Sequence, residues 1–185
     1  MGLLFFVRLC YTIRMPDKIA LVTGASSGFG LLTSIALAKA GFRVVATMRD
    51  LGRRDRLDQA AAAAGVGAKL DVREFDVTKF DAIQAFVDTV VSDYGRLDVL
   101  LNNAGFAVAG FAEDIKLEEL RLQFETNFFG AGAMTKAALP TMRRQRSGHI
   151  IQVSSIAGLH GAVTGSSYSA SKHALEDGAN RCAWR

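Results

Sequence analysis

The sequence predicts an α/β protein built on a doubly wound parallel sheet. Two observations carry this. Five short apolar runs alternate with amphipathic or alanine-rich stretches, the pattern of buried parallel strands and their covering helices. Each polar motif of the chain also falls just after one of those runs, at the carboxyl end of a strand, where such sheets form their crevice.

The first element is Ile19–Val22, an apolar run with charge before it and glycine after it, which reads as a buried strand. Residues 23–30, T-G-A-S-S-G-F-G, form a glycine-rich turn. Residues 31–40 have helical character and stop at Gly41, a C-terminal cap. Strand, glycine turn and helix in this order present backbone N–H groups and a helix N-terminus to a phosphate. Gly24, Ser26, Ser27, Gly28, Phe29 and Gly30 are therefore candidate dinucleotide-binding residues.

Residues 43–47 form the second strand. Neither Met48 nor Arg49 after it is the acid that would hold a ribose hydroxyl, and the Arg49 guanidinium would welcome a 2′-phosphate. Asp50 beside it argues the other way, and a solvent-facing arginine is the alternative. Residues 54–64 form an alanine-rich helix that stops at Gly65. The third strand spans 69–75 and ends at Asp76-Val77-Thr78, where Asp76 can accept from an adenine amino group or cap the next helix. Phe80–Tyr94 is amphipathic, with Phe80, Ile83, Phe86, Val87, Val90 and Val91 on one side. The fourth strand, 99–101, leads into Asn102-Asn103-Ala104-Gly105. Residues 117–146 read as one long or slightly broken helical region containing Asn127, Gly130 and Gly132, poor helix formers whose clustering needs a local cause, and Pro140, which can bend it. Gly148 breaks the region, and residues 149–153 are the fifth strand, leading to Ser154-Ser155.

The chain then reaches Tyr168-Ser169-Ala170-Ser171-Lys172. On a helix, Tyr168 and Lys172 share one face. An ammonium beside a phenol stabilises the phenolate and brings the tyrosine toward the range of a proton donor and acceptor. Ser155, a short glycine-containing loop upstream, can bring a hydroxyl to the same place.

Composition bounds the rest. The 185 residues suit one domain, and 50% hydrophobic with 22% charged residues is globular. A net charge of +4 is mild, Arg53-Arg54 and residues 143–146 read as solvated helix ends, and no motif for nucleic acid accompanies them. Cys10 and Cys182 make no metal or redox spacing, which points to a reduced, cytoplasmic setting. His149, His160 and His173 are isolated, so no metal site is expected. The apolar run in residues 2–7 is far short of the roughly 20 residues of a membrane span. Residues 1–14 are read as an extension outside the fold, with a weak membrane-surface anchor as the rival, and the domain as residues 15–176.

Together these residues resemble the short-chain dehydrogenase/reductase family. The matches are T-G-A-S-S-G-F-G for T-G-x-x-x-G-x-G, Asp76-Val77, N-N-A-G at 102–105, Asn127, Ser155 and Y-S-A-S-K for Y-x-x-x-K, all in order and at family spacing. The resemblance implies a Rossmann-like fold and a carbonyl or secondary alcohol substrate. Tyr168 would be the acid/base, Lys172 its partner and a holder of the nicotinamide ribose, Ser155 a hydrogen-bond donor to the substrate oxygen, and Asn127 the holder of a water. Asp76, Val77, Asn103, Ala104 and Gly105 would line the cofactor with the glycine turn, Tyr168 and Lys172. Met48-Arg49 is similar to the branch that prefers NADP(H) over NAD(H). Relatives in this family are often homo-oligomers.

The resemblance also implies further strands and a substrate-covering loop beyond the helix that begins at Tyr168. That helix reads well to Glu176, and residues 177–185 read as an aberrant tail. The expectations are an unpaired edge on the fifth strand and lost cover over Ile150, Ile151 and Val153. The alternatives to an active oxidoreductase are a truncated, catalytically impaired dinucleotide-binding fragment, or an interaction module.

Overall fold

A computed structural model of the chain describes residues 17–161 and 163–180. The expectations for residues 1–14, and for the tail from residue 181 on, lie outside the described residues. Five strands, β1 (Ile19–Val22), β2 (Arg43–Met48), β3 (Leu70–Glu74), β4 (Val99–Asn102) and β5 (His149–Gln152), form one parallel sheet in the order β3-β2-β1-β4-β5. The helices are α1 (Gly28–Lys39), α2 (Asp55–Ala63), α3 (Phe80–Tyr94), α4 (Leu117–Phe124), α5 (Ala131–Gln145) and α6 (Ser166–Asn180). The doubly wound sheet is the one the sequence predicts.

Strand residues alternate between faces, so each face gathers its own core. Ile19, Leu21, Val45 and Leu100 pack with Val87, Met134 and Met142 of α3 and α5. Ala20, Val22, Val44, Ala46 and Leu101 pack with Ala38, Leu57 and Ala61 of α1 and α2. Cover on both faces is why these strands read as unbroken apolar runs. Chain order runs outward from β1 to β3 on one side and from β4 to β5 on the other, which puts the switch point between β1 and β4. Leu21 there pairs with Leu100 and Val22 with Leu101.

The two strands are also tied at their amino ends. Asp98 is buried; its Oδ2 accepts from the Ile19 N–H at 2.9 Å and from Arg96 Nε at 2.8 Å. Burial pushes this carboxyl up, but the Arg96 guanidinium and the Ile19 N–H outweigh that and hold it below the usual carboxylate range.

The ends of β2, β3, β4, β5 and α2 shift by one residue from expectation, and four features of the helices are now defined. First, α1 starts at Gly28 rather than residue 31, because the last glycines of the turn already form its first turn. Its end matches: Gly41 (φ +96°) donates to Ala38 O and Phe42 to Leu37 O, the paired bonds of a glycine-terminated helix. Second, the 117–146 region is α4, a π-helical turn at Glu125–Gly130, and α5. Third, α6 starts at Ser166. Fourth, it runs through Asp177 and Gly178 to Asn180, past the expected end at Glu176. Extending an existing helix avoids the cost of nucleation.

Among the described residues, no strand pairs with the outer edge of β5. Every residue of β4 is buried, whereas Ile151 of β5 is 46% exposed. Ile150 and Val153 are half-buried against the two cores, so the expected loss of cover falls chiefly on Ile151. No described helix is long and apolar enough to cross a membrane.

Candidate active site

A crevice of about 1050 Å³ opens over the carboxyl ends of the strands. Its wall takes in Gly24, Ser26, Ser27, Gly28 and Phe29 after β1, Arg49 after β2, Val77 after β3, and Asn103, Ala104 and Gly105 after β4. Ser155, Tyr168 and Lys172 line its other end. One concave site thus joins residues spread over most of the chain.

The glycine turn is held by the strand beside it. Asn103 Nδ2 donates to Thr23 O and Gly24 O, both at 2.9 Å, while Thr23 Oγ1 accepts from the backbone N–H of Asn103 and Ala104. This latch explains two glycines. Gly24 has φ +70°, and a Cβ there would stand 2.8 Å from Ala104 Cα. Gly30 does not line the crevice; it lies beneath the turn, where a Cβ would collide with Gly24 O and stand 2.5 Å from Asn103 Nδ2. Gly30 therefore shapes the cradle from beneath. Asn103 likewise spends its amide on the turn.

The start of α1 faces the crevice bare. Ser27 is its N-cap but makes no side-chain cap bond, and no acid lies in its first turn. Uncapped N–H groups at a helix N-terminus, with glycines that let a ligand approach the backbone, suit a pyrophosphate. The cradle, at one end of a crevice of this volume, fits the pyrophosphate of a dinucleotide.

Asp76 does not cap the next helix, one of the two roles expected of it. Its Oδ1 accepts from the N–H and the hydroxyl of Thr78, each at 2.9 Å, and α3 takes Lys79 as an N-cap with no side-chain bond. An aspartate closes a turn with the N–H two residues on more readily than it reaches a helix that begins later. Asp76 itself is not on the crevice wall, whereas Val77 is. Gly130 faces Val77: a Cβ there would lie 2.9 Å from Val77 Cγ2.

At the other end, Lys172 is 4% exposed. Its Nζ donates to Val153 O at 2.8 Å and stands 5.9 Å from the centre of the Tyr168 ring. Burial pulls the Lys172 pKa down from the ordinary lysine range, with Glu176 opposing. Ser155 caps the short turn Ile156–Gly158: its Oγ accepts from the Ala157 N–H at 3.2 Å, which leaves the hydroxyl proton free to donate.

Asn127 lies behind this end, 1% exposed and off the crevice wall. Its Oδ1 accepts from Phe106 N, and its Nδ2 donates to Phe106 O at 2.9 Å and to Ser171 Oγ at 3.1 Å. Ser171 Oγ donates in turn to Tyr168 O at 2.8 Å. The π-helical turn turns Asn127 inward to make these bonds, the local cause that its position in the sequence required. Gly105 fits between Asn127 and Lys172, with a Cβ there 3.0 Å from Asn127 Oδ1 and 3.7 Å from Lys172 Nζ.

The sequence reading missed Arg53, Phe106, Ser154, Ile156 and Ser171. Arg53, Phe106, Ser154 and Ile156 line the crevice. Ser171 and Ser154 had a visible signal, their places beside Lys172 and Ser155; the others have none outside the fold.

The profile of the family described as short chain dehydrogenase matches residues 18–183. The chain is 48% identical over 162 residues to the uncharacterized oxidoreductase YusZ of Bacillus subtilis, covering 88% of this chain and 57% of that one. It is 42% identical over 162 residues to human (Homo sapiens) retinol dehydrogenase 8, covering 86% of this chain and 51% of that one. Among solved structures, a metagenomic short-chain oxidoreductase in complex with NADP superposes with a TM-score of 0.80 at 34% identity, covering 88% of this chain and 72% of that one. The chain thus spans little more than half the length of these two curated relatives.

Proposed function

Because this chain belongs to the short chain dehydrogenase family, we propose that it serves an oxidoreductase interconverting a carbonyl and a secondary alcohol, with NADP(H) preferred over NAD(H) and Tyr168 as acid/base. The observation that carries the reading is a single crevice with an uncapped glycine cradle at one end and Ser155, Tyr168 and Lys172 at the other.

When bound, the nicotinamide dinucleotide supplies or takes up the hydride. Every other part belongs to the chain. Gly24, Ser26, Ser27, Gly28, Phe29 and the start of α1 hold the pyrophosphate; Val77, Asn103, Ala104 and Gly105 flank the adenosine and ribose; Arg49 favours a 2′-phosphate. Tyr168 gives its hydroxyl proton to the carbonyl oxygen in reduction and takes it back in oxidation. Ser155 donates its free hydroxyl proton to the same oxygen. Lys172 keeps two N–H groups beyond its bond to Val153 O, enough to hold ribose hydroxyls while setting a positive charge beside the phenol. Asn127 positions Phe106 and Ser171, and one lone pair of Oδ1 remains for the water that the family resemblance implies. A cytoplasmic setting and homo-oligomers of the whole protein belong to the same reading.

The test is a nucleotide-fluorescence titration beside steady-state reduction of a carbonyl. Tighter binding of NADPH than of NADH is expected, and equal affinities would remove the role of Arg49. Ile151 is exposed and, among the described residues, no strand pairs with the outer edge of β5, which supports a second reading, a dinucleotide-binding module without turnover. Binding with no reduction of any carbonyl would select it.

A further inference from the structure

The segment after β2 carries Arg49, Asp50 and Arg53 on the crevice wall. An aspartate at this place would ordinarily repel a phosphate and accept from a ribose hydroxyl. Here the backbone of its own turn engages it. Asp50 is extended (φ −143°, ψ 110°), and its Oδ1 accepts from the Gly52 N–H at 2.8 Å, which caps the 3-10 turn Leu51–Arg53. Arg53 N–H donates to Asp50 O at 3.2 Å and Arg54 N–H to Leu51 O at 3.1 Å, closing the turn. A Cβ at residue 52 would stand 3.0 Å from the same Oδ1, so glycine lets the carboxylate come close.

This turn leaves Arg53 on the same crevice wall as Arg49. Among the described residues neither forms an ion pair, whereas Arg54 is held by Asp58 at 2.7 Å and is off the wall. Two guanidinium groups without a carboxylate partner on one concave wall make it attractive to a dianion such as a phosphate. Asp50 also lines the wall, and the trio remains net positive.

Resting on the dinucleotide reading of the crevice, we infer that Arg53 is a second specificity-determining residue for the 2′-phosphate of NADP(H), and that Asp50 is the positioning residue that brings it there. Arg53 is thus more than the solvated helix end its sequence context suggests.

The experiment titrates the whole 185-residue chain with NADPH, NADH and, by competition, adenosine 2′,5′-bisphosphate. Arg53→Gln weakens NADPH and the bisphosphate about tenfold and leaves NADH within about twofold, while Arg54→Gln changes neither. Asp50→Ala, which removes a negative charge beside a phosphate site, nevertheless weakens NADPH because the cap is lost. Asp50→Asn keeps a capping oxygen and retains NADPH affinity. Thermal unfolding of each variant confirms that it is folded. An unchanged NADPH-to-NADH ratio in Arg53→Gln, or tighter NADPH binding by Asp50→Ala, overturns this inference alone, provided that the unsubstituted chain prefers NADPH. A chain that binds neither nucleotide, or both equally, overturns the cofactor reading and this inference with it.

Discussion

Lys172 Nζ donates to Val153 O at 2.8 Å while standing 5.9 Å from the centre of the Tyr168 ring. The bond ties α6, which carries both residues of the Y-x-x-x-K pair, to the segment that leaves β5 for Ser155. The ammonium therefore acts as a structural clamp and as the charge beside the phenol.

That double role makes the tyrosine the cleaner target. Tyr168→Phe removes one hydroxyl and leaves the clamp in place. Carbonyl reduction should fall by at least about 100-fold with NADPH binding within about twofold. Retention of the rate would take Tyr168 out of the mechanism.

Lys172 should leave a pH signature in stability. Its folded pKa is lowered, by burial first, so the unfolded chain binds the proton more tightly. The cost of burying the charge is felt below the lowered folded value and is relieved as pH rises from there to the ordinary lysine range. Lys172→Met removes that titration. Any stability advantage of the variant near neutrality should shrink, or any deficit widen, as pH rises through that window. Parallel curves of unfolding free energy against pH would contradict this.

Asp98 works in the opposite direction. Its folded pKa is depressed, so its contribution is complete above the usual carboxylate value and is lost as pH falls through the depressed one. Asp98→Ala should destabilise by about 2 kcal/mol at neutral pH, because the Ile19 N–H and Arg96 lose their acceptor. Chemical denaturation at pH 7 and below pH 3.5 measures both parts, and the deficit should narrow at the lower pH.

Gly30→Ala tests the cradle from beneath. The added methyl meets Gly24 O and Asn103 Nδ2, and overpacking of this kind costs on the order of 2 kcal/mol. NADPH affinity should fall along with the melting temperature, although residue 30 does not line the crevice. Unchanged affinity would mean that the turn can move aside freely.

Asn127→Ala should free Phe106 and Ser171 together. A fall in kcat larger than the change in KM, with NADPH affinity little changed, is the expected result for a residue that positions Phe106 and Ser171. A selective loss of nucleotide affinity would place its role at the cofactor instead.

Most of the sheet was legible because its signals are local. Ile19–Val22 and Phe80–Tyr94 match their sequence-based bounds to the residue, since burial on both faces or on one stripe writes a period into the chain. The glycine turn and Tyr168-Lys172 were legible for the same reason: each is a short motif whose spacing carries its geometry. Asp50 and Asp76 were not, because an aspartate before a turn reads alike whether it meets a ligand or its own backbone. Both meet the backbone.

By itself the sequence determined the alternation of strands and helices, the glycine cradle and the shared face of Tyr168 and Lys172, all set by side-chain period and backbone freedom within a few residues. The tertiary structure alone decided that Asn103 latches the glycine turn, that Asn127 turns inward to hold Phe106, and that Arg53 lines the same crevice as Arg49. The first two are hydrogen bonds between groups far apart in the chain, 80 and 21 residues in these cases. The place of Arg53 depends on how one turn sits against the crevice. Such contacts exist only once the sheet has brought its strand ends together, and no local period records them.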